Sequence, residues 1–297
     1  MSLTLSGSSA PRLQRSWDSR AACNFIGGGS GAGLLVAAAA ALLAGRPYWP
    51  AGILAIALIG FGLSMVWLEI GRPLRALNVF LHPQTSWMTR EAILALPVLG
   101  FAALAVLVDQ RSASLPFQAR VPIAIPASLA ALLGLAFLYC QARILRACVG
   151  VPAWREPALQ WVIIVTGIAE GLGLLLVLGI FGVTPPSWAV PAGFLAVAAR
   201  AGAWEHYRRR VKLSGPVQAV AVLDGVSVPV HLFGHVLAVV LLGGTLIATS
   251  PTVPAAIAGL IIFATGAWLK FVIVTRAAFT QGFSVPFVPV RGSACHL

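Results

Sequence analysis

The chain has 297 residues, of which 59% are apolar and 9% charged, with a mean hydropathy of +0.92. Soluble domains run at about 45–50% apolar and about 25% charged, so this composition argues against a soluble enzyme or a disordered chain. The formal charge of +12 does not point to nucleic acid, because the basic residues lie between long apolar runs and form no single patch.

A membrane helix needs about 20 apolar residues. Residues 1–23 carry Arg12, Arg15 and Arg20, and the run after them is too long for a signal h-region and has no clean cleavage site, so it is expected to stay as a first span. Eight runs follow one another at about 24–44, 50–70, 89–109, 122–145, 157–182, 188–207, 220–248 and 253–276. The predicted fold is therefore all-α: an integral membrane bundle of eight transmembrane helices over 24–276, with an N-terminal segment 1–23 and a C-terminal tail 277–297. The seventh run is the weakest, being interrupted by Asp224, Pro229, His231 and His235.

Basic loops mark the cytoplasmic side. With eight spans, one side collects fifteen arginines and lysines: Arg12, Arg15 and Arg20; Arg72, Arg75 and Arg90; Arg143, Arg146 and Arg155; Arg208, Arg209, Arg210 and Lys212; Arg276 and Arg291. The other side has Arg46, Arg111 and Arg120. Both termini are thus expected in the cytoplasm, in an inner membrane.

Only eight acidic residues exist. Asp18, Asp109 and Glu156 fall at span ends, where a solvated charge is the expectation. Glu69 and Glu91 flank the segment GRPLRALNVFLHPQTSWMTR between spans 2 and 3. This segment is amphipathic: Leu74, Leu77, Val79, Phe80 and Leu81 can lie on the membrane surface while Arg72, Arg75 and Asn78 face water or a partner. A positive-inside loop with an interfacial Trp87 explains part of it. Glu69, Arg72, His82, Arg90 and Glu91 also bring donors, acceptors and an imidazole to one depth.

Inside the membrane, a charge at mid-helix costs about 2.5–3.5 kcal/mol on insertion scales. Glu170 lies in TGIAEGLGLLL, where glycines admit a close neighbour. Arg200 lies in span 6, and a Glu170–Arg200 ion pair is the simplest account of both; a proton-handling carboxylate is the functional alternative. Lys270 is expected to snorkel to the interface. Asp224, His231 and His235 are spaced by 7 and 4, one stripe spread over about 40°. Such a stripe suits a proton wire or simply hydrogen-bonded histidines. Two histidines on one face do not suit a membrane haem, and Cys23, Cys140, Cys148 and Cys295 contain no C-x-x-C pair, so neither haem nor an iron–sulfur cluster is expected in this chain.

The segment LEIGRPLRALNVFLHPQTSWMTRE resembles the signature of the DMSO reductase membrane-anchor family, the NrfD-like or polysulfide-reductase type. Glu69-Ile70-Gly71-Arg72-Pro73 and Ser86-Trp87-Met88-Thr89-Arg90-Glu91 carry the resemblance, and NFIGGGSGAG is similar to the family's first span. The resemblance implies an eight-span subunit that exchanges electrons, often in anaerobic respiration, between the quinone pool and a ferredoxin-like iron–sulfur subunit serving a molybdopterin catalytic subunit. DMSO reductase anchors carry a His where Glu69 stands; the carboxylate is similar to the polysulfide-reductase branch. The charge bias places the signature on the cytoplasmic face, as in the membrane subunits of sulfite dehydrogenases and phenylacetyl-CoA:acceptor oxidoreductases, and FTQGFSVPFVPVRG is similar to the latter.

On this basis the expected quinone site (menaquinone or ubiquinone) gathers Asn24, Glu69, Arg72, His82, Trp87 and Arg90, with Arg72 or His82 polarising a carbonyl and Glu69 exchanging the proton. Glu170, Arg200, Asp224, His231 and His235 are the candidate proton route. The competing expectation is a secondary transporter with Glu170 and Arg200 as midplane coupling charges.

Overall fold

A computed structural model describes residues 8–69, 73–111 and 121–284. In chain order the elements are β1 (Ser8–Ser9), α1 (Ser19–Leu43), α2 (Trp49–Glu69), a 3-10 helix (Pro73–Leu81), α3 (Trp87–Arg111), α4 (Val121–Ala147) and the single turn α5 (Pro152–Arg155). They continue with α6 (Ala158–Val177, prolonged by a 3-10 turn, Leu178–Phe181), α7 (Ala189–Ser214), α8 (Val217–Pro229), a π-helical stretch (Val230–Leu237), α9 (Ala238–Gly244), α10 (Thr252–Thr275) and β2 (Phe283–Ser284).

Among the described residues, seven helices are long and apolar enough to cross a bilayer: α1 to α4, α6, the rod Val217–Gly244 made of α8, the π stretch and α9, and α10. Seven of the eight expected runs are therefore found as such helices, and the sixth, α7, does not meet the same measure of length and apolarity. α7 has 26 residues, but Arg200, Glu205 and the run Arg208–Arg210 make it too polar to qualify by composition. The seventh run, expected to be the weak one, is a single long rod. Pro229 has no amide hydrogen and cannot continue the α ladder, and the chain widens into the π stretch directly after it.

α1 is the central helix, packed on α2, α4, α6 and α10. Lipid tails are as apolar as leucine, so helices associate in a membrane through close packing of small residues. A side chain on Gly33 of α1 would overlap the Gly167 carbonyl of α6, and one on Gly171 of α6 would overlap the backbone at Gly33 and Leu34. Gly29 and Gly33 thus face α6, while Gly27 and Gly31 face α2 and Gly28 faces α4.

Two acidic residues expected in solvent are instead built into the bundle. Asp109 is 1% exposed, and its Oδ2 accepts from the backbone N–H groups of Tyr48 (2.7 Å) and Trp49 (2.9 Å), satisfying donors at the start of α2. Glu156 is buried and takes a hydrogen bond from Arg210 Nε at 3.2 Å. Asp18 is exposed as expected. It caps α1 by accepting from the Arg20 N–H, and the Arg20 guanidinium beside it holds its carboxyl below the usual range.

The segments flanking the bundle pair with each other. β1 and β2 are antiparallel, the Gln14 N–H donates to the Ala278 carbonyl (2.9 Å), and the Thr280 N–H donates to the Arg12 carbonyl (2.8 Å). Chain entering α1 and chain leaving α10 therefore lie side by side. Gln14 also holds both backbone groups of Trp17, which packs on Trp154 with ring centroids 5.0 Å apart.

Candidate functional site

The segment entering α1 and the near ends of α1, α2, α3 and α4 line a cavity of about 180 Å³. Its polar lining comes from Ser16, Asn24, Glu69 and Glu91, and Trp17 and Phe25 add aromatic walls. A second, almost wholly apolar groove of about 260 Å³ runs between α2 and α3 under the 3-10 helix, where Leu77, Val79 and Phe80 roof it. Val66, Met88 and Glu91 line both, so chamber and groove meet at the Glu91 carboxyl.

Glu91 is 5% exposed and sits one turn into α3. Its Oε1 accepts from Gln141 Nε2 of α4 (3.0 Å) and from Asn24 Nδ2 of α1 (3.3 Å); Gln141 Nε2 also donates to the Asn24 backbone carbonyl (3.0 Å). Asn24 Oδ1 and Gln141 Oε1 are buried acceptors with no partner. A buried polar atom without a partner is costly, so these two oxygens are open to a further donor.

The structure divides the expected quinone-site residues. Asn24 and Glu69 line the chamber. Trp87 and Arg90 do not line it or the groove: the Arg90 guanidinium stacks on the Trp87 ring at 4.1 Å while donating to the carbonyls of Pro83 and Gln84, both at 2.8 Å. Their role there is to hold the turn before α3. His82 is exposed and lines neither cavity; its carbonyl accepts from Thr85 and Ser86. Arg72 lies outside the described residues. Sequence reasoning gave Glu91 a place in the loop but not the central one, and it passed over Gln141. The signal for Gln141 was there: an amide in the apolar stretch AFLYCQARIL.

The second constellation is also rearranged. Lys270 does not snorkel. It is fully buried, as is Glu170, and the two form an ion pair at 2.5 Å while Lys270 Nζ also donates to the Phe25 carbonyl (3.0 Å). The expected Glu170–Arg200 pair is replaced by this one. Arg200, 1% exposed, instead donates to the carbonyls of Ile262 (2.7 Å) and Gly234 and to Thr265 Oγ1 (3.3 Å). The Gly234 carbonyl belongs to the π stretch, where widening of the helix turns it to the guanidinium. His231 and His235 touch through their Nδ1 atoms (3.1 Å), and His231 Nε2 lies 3.9 Å from Glu205. His235 Nε2 is buried without a partner. Asp224 is drawn out of the expected stripe into ion pairs with Arg208 and Lys212, both 3.1 Å.

These groups come close to the chamber. A methyl group on Gly29 would stand 2.5 Å from Lys270 Nζ and 3.4 Å from Gln141 Oε1, so ammonium and amide oxygen flank the same glycine. On the far side a methyl on Gly266 would stand 2.6 Å from Glu170 Oε1, next to Thr265, which Arg200 contacts. Glu91, Gln141, Lys270, Glu170, Arg200 and the histidine pair thus follow one another through the bundle.

The family model of the DMSO reductase anchor subunit (DmsC) matches residues 46–228, well over half of the chain. The match includes Glu69, Glu91, Gln141, Glu170 and Arg200, and it stops short of Asn24, the histidine pair and Lys270. No curated protein matches the chain. The chain belongs to the DMSO reductase anchor subunit family. With its apolar helices, it is a multi-pass membrane anchor subunit of a DMSO reductase-type complex.

Proposed function

From that membership we propose that the chain is the quinone-interacting anchor of its complex: it trades electrons between menaquinone or ubiquinone and an iron–sulfur subunit that serves a molybdopterin catalytic subunit. The observation that carries this reading is the meeting of a polar chamber and an apolar groove at the buried Glu91. A hydroquinone bound there supplies two electrons and two protons. The groove between α2 and α3 suits the ring and its tail, since sites of this kind are mostly apolar with a few placed polar groups. Asn24 Oδ1 and the Glu91 carboxyl are the acceptors available to a hydroxyl, and Asn24 and Gln141 orient that carboxyl through two amide hydrogen bonds. Glu91 takes the two protons in turn, one with each electron that leaves for the iron–sulfur subunit, and Glu69, which lines the same chamber, passes each to water. Glu69 thus keeps a proton role, while the carbonyl-polarising role expected of His82 has no support in its position.

The series from the buried Gln141, Lys270, Glu170, Arg200 and His235 to the partly exposed His231 and Glu205 is the internal proton route in this reading. Asp224 is left out of it, being held by two cations. The transporter alternative loses its coupling pair, because Glu170 and Arg200 are each bound to other groups.

The pairing of the terminal segments supports an even number of crossings, which makes α7 the eighth span and agrees with the charge bias toward cytoplasmic termini in an inner membrane. Its intramembrane polar residues are those of a bundle-facing helix, Arg200 being enclosed by carbonyls. The test is quinol-linked turnover of the purified complex. Glu91→Gln should lower turnover about 100-fold or more, as loss of an acid–base group does, with assembly intact, whereas His82→Ala should leave it unchanged. Wild-type turnover in Glu91→Gln rejects the site.

A further inference from the structure

The cytoplasm-facing ends of the helices carry two basic clusters that differ in one respect. At the α7–α8 turn, Arg208 pairs with Glu205 and Asp224, Arg209 with Glu205, Arg210 with Glu156 and Lys212 with Asp224. Each of these four cations has a carboxylate partner within the chain. At the α3–α4 end, Arg90, Arg143 and Arg146 have no carboxylate partner among the described residues. All eight aspartates and glutamates of the chain are among the described residues, and none is paired with these three arginines. Their counter-charge therefore comes from outside the acidic side chains of this protein.

The unpaired arginines are also arranged. The Trp87 indole is shared by two guanidiniums, Arg90 at 4.1 Å and Arg143 at 4.5 Å, and Tyr139 meets the same ring edge-on at 5.7 Å. Tyr139 Oη accepts from Arg143 Nη1 (3.1 Å), which fixes the guanidinium, while Arg143 Nε is a buried donor without a partner. Stacking sets the plane of each guanidinium and leaves in-plane N–H groups for a tetrahedral anion. Below Arg143, successive exposed residues of α4 are Tyr139, Leu135, Leu132, Leu129 and Ile125, spaced by three or four residues along one side of the helix, and Ile93 of α3 is exposed as well. A cationic head thus stands directly above an apolar track that faces the lipid.

We propose that the Arg90–Trp87–Arg143 stack is the head-group site of an anionic phospholipid, its phosphate held by the two guanidiniums and its acyl chain lying along Tyr139, Leu132 and Ile125. Charge complementarity selects the anionic lipid, and the continuous apolar track selects a lipid over a soluble anion. The inference rests on the membrane-protein assignment and not on the quinone site. It gives Trp87 and Arg90 a binding role at a place other than the one expected for them.

The test is lipid retention by the full chain in nanodiscs of phosphatidylethanolamine with a minor share of phosphatidylglycerol, read by native mass spectrometry. Each arginine near an anionic surface favours binding about fivefold, so the Arg90→Gln/Arg143→Gln variant should retain phosphatidylglycerol some 25-fold less, while phosphatidylethanolamine is unaffected. Arg155→Gln, at the same membrane end but bonded to Gln281, should retain it fully, and Arg143→Lys, which keeps the charge, should lie between. If the double variant does not fold, the single Arg143→Gln variant serves, with a fivefold loss expected. Equal retention by wild type and variants overturns the proposal. So does displacement of the lipid by an equal concentration of inorganic phosphate, which makes the ligand a free anion. Intact lipid retention with loss of the iron–sulfur partner on purification also overturns it, and assigns the cluster to an acidic protein surface.

Discussion

Replacing Lys270 with Met distinguishes the buried pair from a snorkelling lysine. The ammonium has 0% exposure, an ion pair to Glu170 at 2.5 Å and a hydrogen bond to the Phe25 carbonyl at 3.0 Å. Removing it leaves the Glu170 carboxyl, whose Oε1 already lacks a partner, enclosed by α1, α6 and α10. Breaking one side of a buried pair costs about 3–5 kcal/mol, because the remaining charge is uncompensated. A lysine with its head at the interface and its charge in high dielectric would cost about 1 kcal/mol or less. Replacing both members, Glu170→Gln with Lys270→Met, removes both charges, so the double variant should be less destabilised than the sum of the singles by at least about 2 kcal/mol. The measurement is a double-mutant cycle of unfolding free energy in mixed micelles. A loss below about 1 kcal/mol for Lys270→Met, together with additivity of the two changes, would refute the reasoning and return Lys270 to the interface.

Other expectations follow from single contacts. Asp109→Ala strips the Tyr48 and Trp49 amides of their acceptor and should cost about 2 kcal/mol in the same unfolding assay; a neutral result means that water reaches those amides. Gly171→Val drives a branched side chain into the α1 backbone at Gly33 and should abolish folded protein in membranes, checked by yield and protease resistance. Gly29→Ala places a methyl 2.5 Å from Lys270 Nζ, the flexible end of a side chain. The protein should fold, and quinol turnover should fall several-fold with the apparent KM unchanged; wild-type turnover removes the link between Gln141 and Lys270 from the proton route.

Much of the architecture was already in the chain as written. Run length and hydropathy predict the rods, because about 30 Å of hydrocarbon and the need to satisfy every backbone group leave no other spanning structure here than a helix. The polar segment ending in Glu91, and the rarity of acids inside apolar runs, singled out Glu69, Glu91 and Glu170, since a charge in lipid is costly enough to be kept only for a reason. Which partner each polar group takes was not legible. Lys270 reads as an interfacial lysine because it lies six residues before Arg276, and only the crossing of α1, α6 and α10 turns it inward to Glu170, 100 residues away in the chain. Asp109 reads as a solvated end, and only the return of α2 beside α3 brings two open amides to it. Gln141 reads as an ordinary amide until the α1–α3–α4 contact places it on Glu91. Periodicity and composition act within one helix, so they decide that a helix forms and how polar it is. Pairing across helices depends on tilt, rotation and close glycine contacts, and those are settled by the packing of the whole bundle.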